Sequence, residues 1–195
     1  MDKDDLVEKY RDINVYPGWW LDIYEEFSNV CHILGITLDE DEPSFSGFYS
    51  QGDGASFTGT YCAQYAPYVG AQRKLPSEEA PAKLREEYPQ ETELHRIADE
   101  LCVLSRIYFP VWAKICRHRS NYTHSNTMDC YVEPMDGDVD NWDDEVLLAV
   151  DDKVRQLMRD LADWLYARLE TDYDYRTSDE AVLESIGANE LDKAE

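Results

Sequence analysis

Residues able to ligate zinc stand close together at Cys116, His118, His124 and Cys130. Thiolate and imidazole donors build tetrahedral sites when they arrive in tightly spaced pairs such as C-x2-C or H-x3-H. The spacing here is C-x-H-x5-H-x5-C, which supplies no such pair, so buried thiols and histidines hydrogen-bonded at an element's end are expected rather than a metal. Asp136, Asp138 and Asp140 occupy the opening ligand positions of a calcium loop, where alternate oxygens surround a hard cation. The match then stops: Asn141 stands where the sharp turn needs glycine, and Leu147 where a bidentate glutamate closes the site. An acidic lead-in to a helix N-terminus, favoured by the helix dipole, accounts for the same residues.

A nucleophile and its base would have to come from Ser50, Ser56 or Cys62 with His32, His95 or His124. No G-x-S-x-G elbow or paired Cys/His signature brings them together, and the chain reads as a non-enzyme without a cofactor. Within FSGFYSQGDGASFTGTY, from Phe45 to Tyr61, the glycines around Asp53 resemble a phosphate loop. They lack its lysine and its following helix, and Asp53 repels phosphate, so a hairpin turn is the expected role.

The remaining chemistry is charge. Asp and Glu number 42 against 18 Lys and Arg, a net charge of -24, while 43% of residues are hydrophobic. That combination describes a folded acidic chain rather than a disordered one. A compact chain of this length has a radius of gyration of roughly 16 Å, and duplex DNA spanning about 40 Å carries on the order of 24 phosphates. Asp12 to Gln72 contains no Lys or Arg, nor does Ser120 to Asp152. Such base-free carboxylate runs reject nucleic acid and attract a basic partner. Asp136, Asp138, Asp140, Asp143, Asp144 and Glu145 are the first candidates for that contact, and Asp39, Glu40, Asp41 and Glu42 the second. Among the 14 tyrosines and 5 tryptophans, Trp142 is a candidate anchor because it sits inside the first acidic run. Trp19 and Trp20 cannot both face one core, which makes one of them another.

These residues need a scaffold, and the apolar spacing predicts α+β: about four helices on a small antiparallel sheet containing a central hairpin. Trp20, Ile23, Tyr24, Phe27, Val30, Cys31 and Leu34 recur at helical steps between Pro17-Gly18 and Gly35. The hairpin follows, with Ser50 and Ala55 flanking its turn and Phe48 opposite Phe57. Prolines 67, 76, 81 and 89 mark a connection with one short helix at Glu78 to Glu87. From Leu94 through Ile97, Leu101, Leu104, Ile107, Tyr108 and Val111 to Ile115 the pattern reads as one long helix, kinked near Pro110. Asn121 to Glu133 reads as extended and able to pair with the hairpin. Val154, Leu157, Met158, Leu161, Leu165 and Leu169 form the strongest helical stripe. Thr177 and Glu180 stand in capping-box spacing before a last helix stopped at Gly187. One acidic domain over residues 1–189 with a frayed tail at 190–195 is the expected organisation.

The widely spread cysteines, 5 in number, fit reduced thiols. No apolar run has the ~18 residues of a membrane span, and MDKDDLVEKYRD lacks a signal peptide's regions, so a cytoplasmic location is expected.

FSGFYSQGDGASFTGTY, the preceding PGWWLDIYEEF and the late DYDYRTSDEAVLESIGANE together resemble a family of small acidic phage-encoded proteins often labelled antitoxin of a toxin-antitoxin stability system. The resemblance implies a phage or prophage origin, a place in the host cytoplasm and anti-CRISPR or other anti-defence action, and carries over no catalytic residue. The expected function is therefore inhibition of a basic, nucleic-acid-binding host defence protein such as a CRISPR effector, by DNA mimicry or by plugging its groove. Direct neutralisation of a toxin is the alternative. Neither nucleic acid nor a membrane is an expected partner.

Overall fold

The computed structural model describes residues 2–62, 76–107, 111–118, 122–134 and 143–191. Its elements run α1 (Lys3–Lys9), α2 (Leu21–Leu34), β1 (Ile36–Leu38), β2 (Ser44–Ser46), β3 (Gly54–Ser56), β4 (Gly59–Cys62), α3 (Pro76–Glu87), α4 (Thr92–Ile107), β5 (Val111–Arg117), a 3-10 turn (Ser125–Thr127), β6 (Met128–Pro134), α5 (Asp144–Arg176) and α6 (Asp179–Ala188). The α+β class agrees with the sequence reading, but the described residues hold six helices rather than about four. Helix α1, Lys3–Lys9, has only Leu6 and Val7 as apolar residues and is too short to show a period, and α3 begins earlier than its Glu78 to Glu87 pattern indicates. Two compact units are distinguished, Met1–Glu25 with Ala167–Glu195, and Glu26–Tyr166.

In the first unit Val7, Val182 and Ile186 form the buried centre, with Leu6, Tyr10, Ile13, Leu183 and Leu191 against it. Arg11 donates to the Thr177 carbonyl at 3.0 Å and to Asp179 at 2.5 Å. Trp19 is buried and meets Trp20 edge-on at 6.0 Å, and the Arg176 guanidinium lies 5.6 Å from the Tyr16 ring and 5.7 Å from that of Trp19. The cap of α6 is Ser178, which accepts the Ala181 N–H, rather than Thr177. The helix passes through Gly187 and ends at Ala188, the left-handed residue beyond it being Glu190 at φ +53 rather than the glycine. Of the tail expected to fray, residues 192–195 lie outside the described residues.

The second unit is built on an antiparallel sheet of order β1-β4-β5-β6. Gly35, at φ +82, ends α2 and turns the chain directly into β1. The stretch from Phe45 to Tyr61 does contain a hairpin, but not in the main sheet. Strands β2 and β3 pair as a separate two-stranded sheet with Phe45 opposite Ala55, whereas Phe57 and Tyr61 continue into the core and β4. Phe48 therefore never opposes Phe57. It lies in the loop 47–53, where Asp53 accepts the Ser50 N–H at 2.7 Å and holds a wider turn than the Ser50–Ala55 register requires.

Strand β5 is the principal correction. Val111 and Ile115 belong to a strand, not to a continuation of α4, and residues 108–110 between them lie outside the described residues. A proline disfavours helix in the residue before it and donates no N–H. Beyond Pro110, VWAKICR alternates: Ala113 and Ile115 are buried while Trp112, Lys114 and Cys116 are half-buried. The extended segment expected at Asn121 to Glu133 narrows to β6, which pairs with β5 rather than with the hairpin, placing Ile115 opposite Cys130.

Helix α5 carries Val154, Leu157, Met158, Leu161 and Leu165 fully buried in the predicted stripe. Each such side chain contributes ~1.5–3 kcal/mol by leaving water. Phe27 of α2 touches Phe57 edge-on at 5.2 Å and stacks on Trp164 at 6.4 Å. Polar side chains fix α5 against β6. Asp151 accepts the Val132 N–H at 3.0 Å and Arg159 donates to the Met128 carbonyl at 2.7 Å. Between them the Cys130 N–H donates to Asp129 at 3.0 Å.

Candidate interaction surface

The zinc-capable residues do not converge. Because Cys116 opposes Asp129 and Ile115 opposes Cys130, the two thiols leave opposite faces of the sheet. His118 is exposed with Nε2 3.3 Å from Asp129. His124 caps the 3-10 turn by accepting the Asn126 N–H at 3.0 Å. Among the described residues no His, Cys, Asp and Glu side chains gather into a metal site.

The nucleophile candidates are similarly dispersed. Ser56 is fully buried and receives a hydrogen bond from Arg117 at 3.2 Å, and His95 contacts the Tyr88 carbonyl at 2.9 Å. Ser50 and His32 are exposed, Ser50 in the loop 47–53 and His32 in the last turn of α2. Cys62 is half-buried in β4. A groove of about 510 Å³ between α3 and α4 is lined by Pro81, Arg85, Asp99, Cys102, Val103 and Arg106. Its Arg85–Asp99 pair, at 2.6 Å, already satisfies most of its charge.

The acidic candidates divide by environment. Asp136, Asp138, Asp140 and Trp142 lie outside the described residues. Asp143 accepts the Val146 N–H at 2.8 Å and so starts α5, leaving Asp144 and Glu145 exposed in its first turn. In the β1–β2 connection both carboxylate oxygens of Asp39 accept from Lys114 at 3.0 Å. Burial opposes ionisation of Asp39, but the hydrogen bonds from Lys114 and Thr58 and the lysine's charge hold it below the usual carboxylate range. Glu40 and Asp41 are exposed and form no ion pair among the described residues.

Glu42 departs from its neighbours. Its carboxylate is turned inward onto Arg117 at 2.5 Å, and its side chain is only 6% exposed, so it does not belong to the outward acidic patch. Burial pushes its pKa up against the pull of Arg117. The guanidinium also donates to Ser44 and Ser56, tying β2 and β3 to the end of β5. Sequence reasoning missed Arg117 because nothing in RHRS distinguishes an inward arginine from a surface one.

The other cations are largely occupied too. Arg96 spans Glu93, Glu100 and Asp160, Lys153 joins Glu100, Arg155 joins Asp129, Asp151 and Asp152, and Lys83 faces Glu79. Most of the described cations in Glu26–Tyr166 are thus paired within the unit, whereas Glu40, Asp41, Asp144 and Glu145 stay outward.

The glycine loop has its own geometry. Gly52 sits at φ +93, and a Cβ there would come within 2.7 Å of the Tyr122 ring. Tyr49 adopts φ +73, an outlier for a bulky residue. Phe48 stacks on Tyr166 at 5.5 Å, and the Tyr166 hydroxyl donates to the Gly47 carbonyl at 3.2 Å.

No helix among the described residues is long and apolar enough to cross a membrane. Neither a curated protein nor a solved structure matches the chain. A family model does match over residues 19–179, and the chain belongs to that family, the domain of unknown function DUF8835.

Proposed function

We propose that the protein is a non-enzymatic inhibitor that occupies the basic nucleic-acid-binding surface of another protein. The observation that carries this reading is the asymmetry of charge pairing among the described residues: most of the cations are held in internal ion pairs while Glu40, Asp41, Asp144 and Glu145 are exposed without one. Such a surface competes with phosphates for a basic groove and binds in a salt-dependent way. The resemblance to phage proteins names the target class, a host defence component such as a CRISPR effector, and the host cytoplasm as the place of action.

The test is displacement of a labelled duplex from purified CRISPR effectors by the full chain. The parent is compared with the variant Glu40→Gln, Asp41→Asn, Asp144→Asn, Glu145→Gln, from 50 to 300 mM salt. Displacement that weakens steeply with salt and is lost in the variant supports the reading. Absence of displacement, or an equally active variant, refutes it.

A second reading, an antitoxin that neutralises a toxin by direct binding, draws on the exposed Tyr131 and Leu148, 55% and 66% exposed. A complex held by such side chains would persist at raised salt.

A further inference from the structure

We infer that the outer face of α4, with the groove it forms against α3, is the interface of a two-fold dimer, its occupant being a second copy of this chain. The inference goes beyond the inhibitor reading and does not depend on it. Helical spacing gathers the contact: Asp99, Cys102, Val103 and Arg106 all line the groove, and steps of three, four and seven residues fall on one face of a helix. Val103 is 51% exposed, and Ile107, one turn further along, is 63% exposed, so α4 turns branched apolar side chains to solvent beside the groove. Across it α3 presents Pro81 and Ala82, whose small side chains leave room for another helix to settle.

Charge decides what covers this strip. Arg106 is exposed and makes no hydrogen bond or ion pair among the described residues. Asp99 gives Oδ2 to Arg85 at 2.6 Å, and its Oδ1 accepts no hydrogen bond among the described residues. Arg106 and Asp99 stand seven residues apart, about 10.5 Å along the axis, and their midpoint falls between Cys102 and Val103. A second α4 laid antiparallel over that midpoint by a two-fold axis carries Arg106 of each copy to the partner's Asp99 and sets the two Val103 side chains together. The face is therefore self-complementary, as an isologous contact requires. A uniformly basic partner would meet Arg106, and a uniformly acidic one Asp99; a second copy meets neither with like charge. Two chains of net charge -24 repel over most of their surface, but the groove lining holds two arginines to one aspartate, so approach on this face is not opposed.

The experiment is sedimentation equilibrium of the full chain at 500 mM salt, where the net repulsion is screened, from about 5 to 200 µM. The parent is expected to dimerise. Val103→Glu, which places carboxylates at the axis, Arg106→Asp, which sets carboxylate against carboxylate, and Asp99→Arg, which sets guanidinium against guanidinium, should each weaken dimerisation about tenfold or more. All three positions are exposed, so the fold is retained. Mixing the Arg106→Asp and Asp99→Arg chains is decisive: in the mixed pair each carboxylate again faces a guanidinium, and affinity should return to within about threefold of the parent. Recovery on mixing also shows that both variants are folded. A parent that stays monomeric at about 200 µM, a dimer indifferent to Val103→Glu, or a mixture no tighter than its components overturns the interface. No basic partner enters this measurement, so its failure leaves the inhibitor reading untouched.

Discussion

Replacing Arg117 by alanine isolates the carboxylate of Glu42. The partners are unequally covered, Arg117 being 32% and Glu42 6% exposed, so arginine keeps a route to water when its partner is lost and glutamate does not. A stranded Glu42 finds relief by taking up a proton. That uptake costs about 1.4 kcal/mol for each pH unit above the ordinary carboxyl value of about 4.3, hence about 1 kcal/mol at pH 5 and about 5 at pH 8. The larger figure meets the ~3–5 kcal/mol found on breaking buried pairs. Losing the hydrogen bonds to Ser44 and Ser56 adds ~1 kcal/mol each at every pH.

In the parent, burial already raises the Glu42 pKa against the attraction of Arg117. Its contribution to stability is therefore fullest below the unfolded value and declines as pH rises through the raised native one. Removing Arg117 lifts the native value further and steepens that decline. Glu42→Gln keeps an acceptor for Arg117 and needs no proton, so its deficit is ~1 kcal/mol and does not grow with pH. Urea unfolding of both variants at pH 5 and pH 8 measures the difference. The Arg117→Ala deficit should be ~2–4 kcal/mol larger at pH 8. A deficit that is equal at the two pH values, or larger at pH 5, refutes the argument.

Gly59→Ala should lower stability by ~2–4 kcal/mol, seen in the urea midpoint, because forced overpacking must part strands; the added Cβ would lie 2.3 Å from the Thr37 carbonyl oxygen and 3.1 Å from the Leu38 Cα. Thiol labelling of the native chain at pH 8 should reach the half-buried Cys62 and Cys116 first and spare Cys31 and Cys130, both buried. Burial pushes the Cys130 thiol up to about 12 and that of Cys31 well above its usual value, so unfolding in urea should release all 5 cysteines to the reagent.

Helices declared themselves where an apolar stripe ran for several turns. The α5 stripe and most of the α2 stripe appear at the residues the spacing indicates, because burial on one face of a long helix leaves little freedom in which residues recur. Short elements carry no such redundancy. VWAKICR contains Val111 and Ile115 at a helical interval as well as alternating Ala113 and Ile115, and only the proline before it separates the two patterns. The hairpin was legible but not its register or its separation from the main sheet, since Phe45 and Tyr61 occupy one Ser/Thr-rich run yet enter different sheets. At the acidic surface, composition identified the runs, but Glu42 differs from Asp41 only by facing Arg117, a residue far away in the chain. Pairing of that kind is a property of the fold and leaves no local mark.

The side chains on the outer edge of β6 limit what the main sheet can do in company. Outward backbone groups of an edge strand are a template onto which another extended chain can dock. Here the outward N–H groups of Val132 and Cys130 are taken by Asp151 and Asp129, and the outward carbonyl of Met128 by Arg159. The opposite edge, β1, is the three-residue stretch Ile36–Leu38, too short to recruit a strand firmly. Growth by strand addition at either edge of this four-stranded sheet is thereby disfavoured.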